Sequence, residues 1–174
     1  MSEGIGARVL RKEDKRFITG RGRYTDDIKA DKQAYAAFVR SPHAHAIIRG
    51  IDAKVAEETS GVIGVMNGSQ LTGDGIGNII CGWAISSKDG SPMNMGAWSA
   101  LATEKVRYVG DAVAVVIAES QEIARNAAEL VEVDYDVLPA VVNSVESLQN
   151  NACQIHENAP GNLIFDWEIG NLLE

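Results

Sequence analysis

Two stretches of the chain, residues 34–66 and 106–136, repeat one order of local patterns, and this order restricts the possible folds most strongly. Each stretch predicts two strands, a short helix and a third strand. This mixture is typical of an α+β domain with two β-α-β-type halves, not of a doubly wound parallel sheet. The halves share a pattern but no sequence repeat.

The predicted elements of the first half are strands at residues 35–39, 43–49 and 62–66 and a helix at residues 53–60. Asp52 is a favourable N-cap for that helix, and Gly61 is a favourable C-terminal stop. The predicted elements of the second half are strands at residues 106–109, 112–118 and 131–136 and a helix capped by Ser120. The spacing of Ile123, Ala127 and Leu130 predicts that they share the buried face of this second helix.

A glycine-rich insertion, residues 67–98, separates the two halves and contains seven glycines. A long irregular segment inside a compact domain usually serves function or an interface, so we expect it to pass around another structural unit. The expected organisation is a basic N-terminal arm at 1–33, an α+β domain at 34–142 and an irregular C-terminal linker at 143–174. Within the linker, Leu163–Trp167 is a further possible strand.

Charge is distributed unevenly along the chain. Residues 8–23 carry seven basic and two acidic side chains, so that the rest of a chain with net charge −8 carries −13. Such an acidic protein repels phosphate backbones, and aromatic residues do not alternate with the basic ones, so we expect no nucleic-acid partner. The basic arm is expected to pair with an acidic protein surface, either its own or that of a partner.

Composition excludes several other classes. With 45% apolar and 23% charged residues the chain is too apolar for a disordered protein, and no apolar run approaches the ~18 residues that cross a bilayer. The first four residues lack a signal-peptide pattern, and Cys81 and Cys153 are most simply free thiols. We therefore expect a cytoplasmic protein without a membrane span.

The best metal candidate is the pair His43 and His45, which would project from the same side of the predicted strand. The other histidine, His156, lies far along the chain in the irregular linker. The alternative is an ordinary polar strand face, and we favour it.

No other pattern assembles a catalytic centre. Glu132, Asp134 and Asp136 share one face of a strand, which is typical of a solvated surface and not of an acid–base pair. The tryptophans lie in or beside loops, which favours an interface; they are Trp83, Trp98 and Trp167. The residues predict no catalytic, cofactor-binding or metal-binding site in this chain, and they indicate a binding or structural module.

Several ordered blocks resemble the large subunits of molybdenum hydroxylases, the aldehyde oxidase and xanthine dehydrogenase family, particularly its carbon-monoxide-dehydrogenase-like branch. They extend from about residue 5 to residue 171 and comprise residues 16–27, 38–46, 105–118, 131–140, 158–162 and 165–170.

The resemblance implies the α/β hammerhead domain of such a subunit. It implies molybdopterin cytosine dinucleotide in the complete large subunit, and as partners a molybdenum-cofactor domain and iron–sulfur and flavin subunits. The family's cofactor motifs and catalytic glutamate lie C-terminal to this domain, so it assigns no catalytic residue here. Two functions remain open: a non-catalytic module of such an enzyme, and a free-standing binding or scaffold protein without a redox role.

Overall fold

The structure is a computed structural model that describes residues 4–6, 9–96 and 98–170. The chain divides into two compact units, Met1–Gln33 and Ala34–Glu174. The first contains the short helix α1 (Asp14–Ile18) and a single 3₁₀ turn, Thr25–Asp27.

The second unit is built on six strands and three α-helices within the described residues. The strands are β1 (Tyr35–Arg40), β2 (Ala46–Asp52), β3 (Val62–Asn67), β4 (Lys105–Val106), β5 (Ala112–Ala118) and β6 (Glu132–Val137). The helices are α2 (Lys54–Glu57), α3 (Gly68–Gly73) and α4 (Gln121–Ala128). Two 3₁₀ turns, Glu146–Leu148 and Pro160–Asn162, follow β6.

The strands form two antiparallel three-stranded sheets, in the orders β1-β5-β3 and β4-β2-β6. The predicted α+β class is confirmed. Each sheet combines strands from both predicted halves, because β5 lies between β1 and β3, and β2 lies between β4 and β6. The halves are therefore interleaved, and neither forms a sheet by itself.

Small side chains form the core between the first sheet and α4. Ala114 and Val116 of β5 are fully buried and belong to one cluster with Ala56 and Ala127. Because alanine has no side chain beyond Cβ, α4 can lie close to the sheet. The Ser120 hydroxyl accepts a hydrogen bond from the Ile123 backbone N–H at 3.2 Å, which confirms the predicted cap.

The two sheets share apolar side chains. A second buried cluster comprises Ala46, Ala102, Val106 and Val113. Val39, Ile51 and Val133 pack against both clusters, and so they join the sheets into one core.

Several predicted boundaries are wrong. Strand β2 begins at Ala46 instead of residue 43, and α2 spans only Lys54–Glu57. Its N-cap is Ala53 and not the predicted Asp52, because Asp52 is still part of β2. Strand β4 has two residues, since the chain enters a turn toward Gly110.

The remaining errors concern the end of α4 and the C-terminal tail. Leu130 follows the end of α4 and is 42% exposed. Leu163–Trp167 does not form a strand.

Helix α3 was not predicted, since it lies in the glycine-rich insertion. Its N-terminus is a capping box, in which Asn67 Oδ1 accepts from the Gln70 backbone N–H and Gln70 Oε1 accepts from the Asn67 N–H. Gly68 begins the helix against the 101–102 backbone, where a Cβ would lie 2.6 Å from the Ala102 carbonyl oxygen. Only glycine permits this approach.

Replacing Ala127 with phenylalanine should lower the free energy of unfolding by about 1–3 kcal/mol, because a ring does not fit the buried face of α4. Chemical denaturation measures the change. Asn126→Phe, at the neighbouring exposed position, is the control and should have a much smaller effect. Equal stabilities of Ala127→Phe and the wild type would contradict this packing.

The variant Gly68→Ala should also be destabilised by about 1–3 kcal/mol, because its methyl group would overlap backbone atoms that cannot move independently. The matched control is Gly73→Ala, because Gly73 ends the same helix and a Cβ there would meet no atom within 4 Å. It should be neutral or slightly stabilising, since alanine favours helix. Thermal unfolding of both variants compares the two positions, and an equal response would be evidence against the close approach.

Candidate functional site

The two neighbouring histidines do not share a strand. They lie in the turn between β1 and β2, after Ser41, whose Oγ accepts a hydrogen bond from the His43 backbone N–H at 3.0 Å. The His43 ring contacts Tyr135 edge-on, with a centroid separation of 5.0 Å. The expectation that the imidazoles project together from a strand is therefore wrong.

His45 has a structural role. Its side chain is 5% exposed, and Nδ1 lies 2.7 Å from the Pro139 carbonyl oxygen, while the Leu138 N–H donates to the His45 carbonyl. These contacts fasten the start of β2 to the end of β6. Nε2 is buried without a hydrogen-bond partner in the described part of the chain.

His156 lies against an aromatic ring. Its ring stacks on Trp98 with a centroid separation of 6.4 Å. Burial, reinforced by the positive charge of Arg107, lowers the pKa of His156. Across residues 4–6, 9–96 and 98–170, no group of three or more His, Cys, Asp or Glu side chains is arranged to hold a metal ion.

The carboxylate row on β6 faces solvent, as predicted. Glu132, Asp134 and Asp136 are exposed, alternating with the half-buried Val133 and Tyr135. Asp136 forms an ion pair with Arg49 of β2, half exposed on both sides. Such exposed carboxylates fit a surface and not an acid–base pair.

A concave feature is formed where the glycine-rich insertion meets the C-terminal tail, residues 143–170. The Asn94 N–H donates to the Ile164 carbonyl at 2.8 Å, and the Lys88 N–H donates to the Asp166 carbonyl at 2.7 Å. Asn158 Nδ2 donates to the Met95 carbonyl. These contacts hold the two irregular segments side by side.

One asparagine organises the tail. Asn162 accepts from the Ile155 N–H through Oδ1 and donates through Nδ2 to the Ser147 and Cys153 carbonyls, at 2.8–3.0 Å. Its φ of +58° is in the left-handed region, which asparagine tolerates better than most residues. These hydrogen bonds hold the described part of the tail in shape, although it contains neither a strand nor a long helix.

Between insertion and tail lies an open groove of about 890 Å³. Its lining is mostly apolar and includes Ile79, Ile80, Met93, Trp98, Val142 and Ile155. Ile80 is 89% exposed and Val142 is 92% exposed. Clustered apolar side chains at this exposure indicate a contact surface for another protein segment; we call it the apolar groove.

An ion-pair cluster anchors one wall of the apolar groove to β4. Glu157 accepts from Lys105 Nζ at 2.6 Å and from an Arg107 Nη at 2.8 Å, and Arg107 Nε donates to the Ile155 carbonyl. The hydrogen bonds from Lys105 and Arg107 to the carboxylate lower the pKa of Glu157 from 4.5 to about 2. No local sequence pattern indicates the cluster, since its members lie about fifty residues apart.

The predicted interface tryptophans are exposed, but only one lines the apolar groove. Trp98 does so, whereas Trp83, 81% exposed, and Trp167 do not. The sequence signals for this surface were Trp98 and the glycine-rich character of residues 67–98.

Comparison with known proteins identifies the family to which this fold belongs. Residues 19–139 match the family described as "Aldehyde oxidase and xanthine dehydrogenase, a/b hammerhead domain". The carbon monoxide dehydrogenase large chain of Afipia carboxidovorans is 33% identical over 97% of this chain and 21% of its own length. The nicotine 6-hydroxylase large subunit of Paenarthrobacter nicotinovorans is 40% identical over 83% of this chain and 17% of its own.

A solved structure is similar as well. Quinoline 2-oxidoreductase from Pseudomonas putida 86 superimposes with a TM-score of 0.71 and 37% identity, over 87% of this chain and 19% of that chain. The fold therefore defines an α/β hammerhead domain, and the chain belongs to the aldehyde oxidase and xanthine dehydrogenase family. It spans about a fifth of the length of these relatives.

Stability should fall as the pH is lowered from about 4.5 toward 2. The folded-state pKa of Glu157 is depressed, so its stabilising contribution is complete above the ordinary pKa and is lost as the carboxylate is protonated. The variant Glu157→Gln should melt at a lower temperature than the wild type at pH 7. Its melting temperature should also change less than that of the wild type between about pH 4.5 and 2. Glu129→Gln, an exposed substitution, is the control, and identical pH profiles for Glu157→Gln and the wild type would contradict the assignment.

Proposed function

We propose that the chain is a non-catalytic structural and interaction domain in the large subunit of a molybdopterin-dependent hydroxylase or carbon-monoxide-dehydrogenase-like oxidoreductase. The observation that supports this most directly is the apolar groove of a hammerhead domain. A groove lined by Ile80 and Val142 is unfavourable in water and is stabilised when another segment covers it. The remainder of the large subunit is the proposed occupant.

Catalysis is proposed to reside outside these residues. The matched relatives are about five times as long as this chain, so most of each large subunit lies beyond the matched region. The described residues bring together no metal-ligating group of three. The proposed cofactor, molybdopterin cytosine dinucleotide, would be held by the rest of the subunit, where it would supply the redox chemistry.

The proposed partners are a molybdenum-cofactor domain and iron–sulfur and flavin subunits. The similar proteins are the large chain of carbon monoxide dehydrogenase and the large subunit of nicotine 6-hydroxylase, and this supports a multisubunit enzyme. No helix in the described residues is long and apolar enough to cross a membrane. Cys81 and Cys153 are unpaired, which fits a reducing compartment, and we propose the cytoplasm.

The purified chain by itself should be inactive and should contain no stoichiometric metal. The reason is that the described residues assemble no ligand set. Elemental analysis of molybdenum, iron and zinc checks this. One equivalent of any of these metals would contradict the proposal.

The variant Ile80→Asp should behave differently in two contexts. In the isolated chain Ile80 is exposed, so the melting temperature should change little. In the polypeptide of the whole reading frame the carboxylate would be buried at the proposed contact, at a cost of about 2 kcal/mol or more. Thermal unfolding in both contexts measures the difference.

Ile63→Asp is the matched control, because Ile63 is exposed on β3 and does not line the apolar groove. It should have the same effect in both contexts. A small effect of Ile80→Asp in the whole polypeptide would favour the free-standing scaffold instead. The absence of a molybdenum domain from the reading frame would favour it too.

A further inference from the structure

The basic segment, residues 8–23, has charge that the proposed function does not use. It carries a net charge of +5, whereas the rest of the chain carries −13. Arg8 lies outside the described residues. The described cations are all exposed; they are Arg11, Lys12, Lys15, Arg16, Arg21 and Arg23.

Most of these cations have no ion pair with an acidic residue in the part of the chain that the structure describes. Arg16 pairs with Glu13 at 2.8 Å, and it is the one cation of the basic segment with an ion pair to a described residue. The guanidinium groups of Arg11, Arg21 and Arg23 donate no hydrogen bond within the described part of the chain. Arginine groups in this state are available for carboxylates, to which each can donate two parallel hydrogen bonds.

The basic segment is folded locally. The Phe17 and Tyr24 rings stack at 5.4 Å, and the Arg16 guanidinium lies 5.1 Å from the Phe17 ring centroid. Gly20 turns the chain with φ +70°, and a Cβ at Gly22 would lie 2.6 Å from the Phe17 ring. The cations are therefore displayed on a preformed loop, which reduces the entropy lost on binding.

We propose that the basic segment binds a carboxylate-rich surface of another protein. Exposed apolar residues accompany the cations, namely Val9 at 86%, Leu10 at 71% and Ile18 at 84%. Arginine with apolar side chains is the composition of protein–protein contacts. The inference rests on these residues and not on the activity of the parent enzyme.

Nucleic acid and membrane surfaces fit less well. The Phe17 and Tyr24 faces that stack on each other are not available to bases. The rest of the chain, at −13, is repelled by a phosphate backbone or an anionic bilayer. Helix α1, with five residues, is too short to lie in a membrane interface as an amphipathic helix.

The test uses the full chain and fluorescent poly-L-glutamate as a probe of carboxylate binding, at about 0.15 M salt. The wild type should bind, and the triple variant Arg11→Gln, Arg21→Gln, Arg23→Gln should bind at least about tenfold more weakly. The control, Arg49→Gln, Lys54→Gln, Arg125→Gln, removes the same charge elsewhere and should bind like the wild type. Circular dichroism verifies that both variants are folded.

Three results would overturn the proposal. These are absence of poly-L-glutamate binding by the wild type, equal loss in both triple variants, and tighter binding of duplex DNA or phosphatidylserine vesicles than of poly-L-glutamate. If the parent enzyme's subunits co-purify with the whole polypeptide, the triple variant of the basic segment should release at least one of them at a lower salt concentration than the wild type does. Subunits that do not co-purify would count against the large-subunit role, which the poly-L-glutamate result does not test.

Discussion

Strand β5 is paired on both edges and contributes to both buried clusters, and the other elements of the second unit depend on this arrangement. Its register pairs Val115 with Phe38 of β1 and with Met66 of β3. Alternate residues of β5 contribute to two clusters, Val116 to the one beneath α4 and Val113 to the one shared with the second sheet. Four of its seven residues are buried, which fits its wholly apolar sequence.

The apolar groove is outside this core but is positioned by it. Helix α3 begins directly after β3, and Lys105 and Arg107 at β4 hold Glu157 of the tail. The insertion and the tail are thus tied to the sheets at defined points, while the apolar side chains between them remain exposed. A surface that is both held in shape and apolar fits a permanent contact within a larger protein better than a transient one.

The sequence predicted elements whose signals are local. Strand β5 and helix α4 follow from a β-branched run and a serine cap, and the alternation in β6 predicts its exposed carboxylates correctly. Interleaving of the halves was not predictable in this way, because strand partners are chosen by long-range packing. The apolar groove depends on hydrogen bonds such as Asn94 to Ile164, which join irregular segments and leave no periodic pattern. Helix α3 was not predicted, because the glycines of the insertion favoured a loop, although Asn67 and Gln70 form a capping box in the structure.

Cys81 reports directly on whether the apolar groove is covered in a longer polypeptide, as the proposed function requires. It lines the groove and is exposed, whereas Cys153 is partly buried and outside the lining. Alkylation rates of Cys81 should be compared between the isolated chain and the polypeptide of the whole reading frame, both carrying Cys153→Ser. We expect Cys81 to react at least about tenfold more slowly in the whole polypeptide, because reactivity requires access to the thiolate. Equal rates in the two contexts would contradict it.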